Sequence, residues 1–100
     1  MIKHIVMWTL KDSYEGKDKQ ALIQEFKDKL EALKDTISEV RSLEVGVNIS
    51  PRPSAQDLVL YTEFDDSPAL DRYRNHPDHL KVVEWVKNVV RDGYVVDYET

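Results

Sequence analysis

Cysteine is absent, which excludes disulfides, thiolate metal sites and cysteine nucleophiles and fits a reducing compartment. Glycine is scarce, three residues in 100 and nowhere clustered, so no glycine-rich loop can cradle a cofactor phosphate. Basic residues are outnumbered, 14 against 19 acidic, and the net charge of -5 is spread without a basic stripe, so nucleic acid is not an expected partner. No apolar run approaches the ~20 residues that cross a bilayer. The opening segment Met1 to Leu10 also lacks the positive n-region, long h-region and small-residue cleavage site of a signal peptide. Taken together these absences lead us to expect a cytoplasmic protein with no membrane partner, folded as one domain over residues 1–100.

What the chain does contain is strong periodicity. Ile2 to Leu10 is rich in β-branched and aromatic residues and predicts a strand, with Ile2, His4, Val6, Trp8 and Leu10 on one face and Lys3, Ile5, Met7 and Thr9 on the other. Lys11 to Gly16 reads as a polar turn. From about Lys17 to Leu33 the residues Leu22, Ile23, Phe26, Leu30 and Leu33 recur at helical spacing, while Glu25 and Lys29 sit one turn apart on the solvated side. Val40 to Ser50 alternates again, and Gly46 on its polar face signals a bulge or a close approach. The two prolines of Ser50 to Ser54 mark a loop, and Leu58 to Phe64 predicts a third strand.

A helix follows, capped by Asp66 or Ser67 with Pro68 in its first turn. It breaks at His76 and resumes at Pro77, because proline disfavours helical geometry in the residue before it and suits the first helical position itself. The resumed helix is expected to run to about Val89, with Leu80, Val83, Val86 and Val90 as its inner stripe, Val82, Trp85 and Val89 adjacent to it, and Asp92-Gly93 as its stop; Tyr94 to Tyr98 is the last strand. The order β-α-β-β-α-β predicts an α+β, ferredoxin-like protomer, a four-stranded antiparallel sheet with two helices on one face. The sheet is apolar on both sides. A second copy packed sheet to sheet would cover the open face, so a homodimer closing a dimeric α+β barrel is expected.

Usable chemistry is densest in Tyr73-Arg74-Asn75-His76-Pro77-Asp78-His79-Leu80, which holds two of the three histidines. A neutral imidazole exchanges protons near neutral pH and a tyrosine hydroxyl donates to a carbonyl or an enolate, so His79 and Tyr73 are the candidate catalytic pair. His4, His76 and Trp8 are the candidate substrate-binding residues. The competing reading has His76 and His79 hold the helix break through backbone hydrogen bonds while Tyr73 simply packs. His76 and His79 around Asp78 form only a weak metal signal, and neither a metal nor a cofactor is expected.

The opening strand Met1-Ile2-Lys3-His4-Ile5-Val6 and the Tyr73 to His79 stretch, together with chain length and element order, resemble the stress-responsive A/B barrel domain proteins of the dimeric α+β barrel superfamily. The resemblance covers essentially the whole chain and implies the same protomer and sheet-to-sheet homodimer. Plant polyketide cyclases of that family close a linear polyketide by intramolecular aldol condensation without a cofactor. By motif, their histidine base corresponds to His79, their tyrosine to Tyr73 and their first-strand histidine to His4, while Leu58 stands where they carry a further histidine. The resemblance implies a small-molecule pocket and cofactor-free, lyase- or cyclase-like acid/base chemistry. The alternative is a non-enzymatic, stress-associated structural or ligand-binding dimer.

Overall fold

A computed structural model describes all residues from Met1 to Thr100. In chain order the elements are β1 (Ile2–Leu10), β2 (Ser13–Tyr14), β3 (Lys17–Asp18), α1 (Lys19–Thr36), β4 (Ser42–Val47), β5 (Leu58–Phe64), α2 (Ser67–Asn75), α3 (Pro77–Val89) and β6 (Val90–Glu99). Strands β4-β5-β1-β6 form one sheet in that order, each neighbouring pair antiparallel. This is the ferredoxin-like α+β arrangement that the element order predicts, with the predicted second helix divided in two at His76.

Alternation along the strands decides which side is buried. On β1 and β5 the residues Ile2, His4, Leu10, Leu58, Leu60, Thr62 and Phe64 are buried beneath the helices, where they meet Leu22, Phe26, Leu30 and Leu33 of α1 and Leu70 and Tyr73 of α2. Their alternates form the open face. Register places Tyr94 beside Met7, Val96 beside Ile5 and Tyr98 beside Lys3, so the aromatic row of β6 lies on that open side.

Local chemistry explains the helix ends. Asp18 caps α1 by accepting from the Ala21 N–H at 2.9 Å, and Asp66 caps α2 in the same way through the Ala69 N–H. The predicted turn at Lys11 to Gly16 is a two-strand hairpin, tightened by positive φ at Glu15 and Gly16, so the helix begins at Lys19 and runs on to Thr36.

Three expectations are corrected. The second long strand is shorter than Val40 to Ser50, and Ile49 beyond its end is 98% exposed. The inner face of α3 is turned towards the row expected beside the stripe: Val89 is fully buried and Val82, Trp85 and Val86 pack on the core, while Leu80, expected on the stripe, is exposed. Finally, Asp92-Gly93 does not stop a helix. The chain passes from α3 into β6 at Val90, whose N–H donates to the Val86 carbonyl, and Gly93 lies within the strand opposite Trp8. A Cβ on Gly93 would stand 3.1 Å from Trp8 Cδ1, so the glycine makes room for the indole.

Candidate functional site

The fold gathers His4, Tyr73 and His79 under one end of the helical layer. Tyr73, on the inner face of α2, is wholly buried, with its ring 5.0 Å from Phe64, 4.5 Å from His79 and 6.3 Å from His4 between centroids. Its hydroxyl is buried and has no hydrogen-bond partner. Burial pushes the phenol up to about 12, so the group is a protonated donor across the physiological range. An orphaned donor of this kind costs free energy, and a native structure that keeps one invites an explanation.

His79 lies in the first turn of α3, and its position follows from the break before it. His76 is the N-cap of α3: its Nδ1 accepts from the Asp78 N–H at 3.1 Å. Its backbone is extended there, as a residue before proline should be. The chain folds back at that point far enough for His79 Nδ1–H to donate to the Arg74 carbonyl at 3.0 Å. Because that nitrogen carries the proton, Nε2 holds the free lone pair. Burial, chiefly, draws the imidazole below its ordinary range, keeping it neutral with the Nε2 lone pair free.

His4 is fixed from the other side. Its Nδ1 pairs with Asp97 Oδ1 at 2.5 Å, and the second oxygen of Asp97 accepts from the Arg74 guanidinium. The carboxylate thus selects the Nδ1–H tautomer of His4, as a second carboxylate orients an imidazole in many acid/base sites. Asp97 and Arg74 were not among the residues singled out from the sequence. Asp97 is 93 residues from His4 and meets it through strand register alone, and Arg74 reads as one more cation on a helix.

The five singled-out residues therefore separate. His4, Tyr73 and His79 converge. His76 is adjacent in sequence but its Nδ1 is occupied with capping α3. Trp8 lies elsewhere, four residues along β1, roughly 14 Å at ~3.4 Å per residue. Its ring lies on Phe26 at 4.7 Å, and Phe26 meets Trp85 at 5.5 Å, so the three aromatics fill the space between sheet, α1 and α3. Leu58 is 2% exposed in that same core and offers no polar group. No three carboxylate, imidazole or thiol side chains converge in a geometry that would hold a metal ion.

A four-stranded sheet of this order, with a tyrosine of α2 lying between a histidine of β1 and a histidine of α3, defines a ferredoxin-like α+β protein. The chain belongs to the stress-responsive A/B barrel domain family, whose model matches residues 2–100. An uncharacterised protein of Streptomyces coelicolor is 37% identical over 79 residues, covering 79% of each chain. A dimeric protein of unknown function with a ferredoxin-like fold from Bacteroides fragilis is 33% identical, with a TM-score of 0.86 over 99% of this chain and 95% of that one. The hydroxynitrile lyase of Passiflora edulis superposes with a TM-score of 0.81 over 97% of this chain and 90% of its own; at 15% identity this is a likeness of fold. No helix is long and apolar enough to cross a membrane.

Proposed function

We propose that this protein is a homodimer performing cofactor-free acid/base chemistry on a small, neutral carbonyl compound. His79 Nε2 takes a proton from the carbon next to the carbonyl, and the Tyr73 hydroxyl donates a hydrogen bond to the oxygen on which negative charge develops. The proton returned to carbon, or to a leaving group, completes an isomerase-, lyase- or cyclase-type turnover. The observation that carries this reading is the unpartnered, protonated Tyr73 hydroxyl beside an imidazole whose Nδ1–H is already committed. A carbonyl or enolate oxygen is the acceptor that this donor lacks.

Apolar surface near the imidazoles favours an aliphatic substituent on the substrate. Val95, two residues before Asp97, is 63% exposed, and Leu80, next to His79, is 49% exposed. Val6 lies opposite Val95 in the sheet, two residues from His4. The Tyr73 hydroxyl is buried, so substrate access requires a local opening, for which the break between α2 and α3 at His76 is the proposed hinge.

The test is solvent proton exchange. In heavy water, a simple 1,3-diketone is expected to exchange its α-hydrogens faster with the protein than with buffer, and His79→Ala to lower that rate about 10²-fold or more. No enhancement across a panel of neutral ketones and diketones would reject the proposal. The sealed Tyr73 hydroxyl also favours a second reading, a non-catalytic dimer in which these residues serve structure; then His79→Ala lowers thermal stability and changes no exchange rate.

A further inference from the structure

We propose that Ile49 of each protomer seats in a cleft on the open sheet face of a second copy of this chain, locking the homodimer by reciprocal exchange. The inference rests on the homodimer proposed above and adds what closes it.

The cleft has a volume of about 590 Å³ and lies where the Asn48 to Asp57 loop rises beside the sheet, with Met7, Gly46, Val59 and Tyr94 on its floor and Ala55 and Gln56 on its wall. None of its ten lining residues is charged, in a chain of which 33% is charged. The opposite end of the same face is polar, carrying Lys3 and Glu63 at 3.8 Å with the Tyr61 hydroxyl on Glu63 at 2.5 Å. The cleft therefore suits an uncharged aliphatic group. Gly46 deepens it, since a Cβ there would meet Val59 Cγ1 at 3.0 Å.

The protomer carries such a group with nothing to cover it. Ile49 is 98% exposed, far beyond the other large hydrophobic residues, and follows Val47 and Asn48, which line the cleft. A two-fold interface needs its patch to be self-complementary, and a knob beside a hole of matching chemistry meets that requirement when the two copies exchange knobs. Ile49 stands just beyond the end of β4, at the margin of the open sheet face. The 33% identical Bacteroides protein is dimeric, which favours a second copy over any other occupant.

The absence of cysteine makes the test clean. Differently tagged Ile49→Cys and Ala55→Cys chains are co-expressed and treated with a short bis-maleimide, beside a control pairing Ile49→Cys with Lys34→Cys on exposed α1. Light scattering on a sizing column reports the mass of each sample. The expected result is a dimer in which the Ile49→Cys and Ala55→Cys chains become linked and the control chains do not, with Ile49→Ser weakening dimerisation on the order of a hundredfold for two lost seats. A dimer without that cross-link overturns the Ile49 seat and leaves the homodimer standing; a monomer overturns both.

Discussion

His4 and Asp97 are register partners on β1 and β6, and the carboxylate closes on the imidazole at 2.5 Å while Arg74 holds its other oxygen. This cross-strand pair anchors one side of the site from residues at opposite ends of the chain. The other side is anchored within α2 and α3, by His79 on the Arg74 carbonyl. Arg74 thus touches both imidazole systems, one through its side chain and one through its backbone.

Asp97→Asn removes the negative charge while keeping the shape. We expect the fold to survive, with circular dichroism unchanged, because Asp97 is a half-exposed strand residue outside the apolar core. The proton-exchange rate should fall about tenfold or more, since the neutral amide offers one acceptor oxygen to two donors, His4 Nδ1–H and the Arg74 guanidinium, and cannot hold both. An unaltered rate would assign the pair to structure alone.

Tyr73→Phe separates function from stability. The hydroxyl is buried without a partner, so removing it should leave stability unchanged or raise it by about 1 kcal/mol. In a domain of this size that is a melting temperature higher by about 4–8 °C. Exchange activity should fall at the same time. Destabilisation would show that the hydroxyl has a partner in solution.

His76 is predicted to act through its cap. His76→Ala should cost about 1 kcal/mol by freeing the Asp78 N–H, whereas His76→Asn or His76→Asp restores a side-chain acceptor and should recover stability and activity together. Thermal melts and exchange rates on the three variants check this. Loss of activity in the stable His76→Asn protein would instead make the imidazole part of the site.

Gly93→Ala places a methyl 3.1 Å from the Trp8 ring, which is itself held against Phe26 at 4.7 Å. With little room to yield, the indole should be displaced and stability should fall by about 1–2 kcal/mol. Denaturant melts followed by tryptophan fluorescence report both effects.

Gly93 also shows where the sequence misleads. An Asp-Gly pair after a valine-rich helix reads as a stop, but here the strand begins three residues earlier and the glycine is required by Trp8 across the ladder. That requirement is tertiary and leaves no local trace. By contrast, the alternation in β1 and β5, the caps Asp18 and Asp66 and the break before Pro77 are local, and the element order follows from them. In the candidate site, the proximity of Tyr73 and His79 is legible because one helical break holds both. Asp97 is not, since a lone aspartate in a terminal strand looks like solvent-facing charge until register sets it beside His4. Trp8 shares a face with His4, yet distance along the strand places it in the Phe26 and Trp85 cluster.

The proposed chemistry depends on His79 being neutral, protonated on Nδ1 and open at Nε2, and nitrogen-detected NMR titration of the three histidines measures this. The account predicts that His79 titrates below the 6.5 of a free imidazole. The unfolded chain then binds more protons than the folded one between those two pKa values, so the stability contributed by neutral His79 is complete above pH ~6.5 and is lost as pH falls towards the folded value. A companion melt series should show that slope in the native protein and a smaller one in His79→Gln. Contradiction would be a His79 that titrates at or above 6.5, because burial would then not be holding it neutral, or one that carries its neutral-state proton on Nε2, because the nitrogen assigned as base would then lack its lone pair.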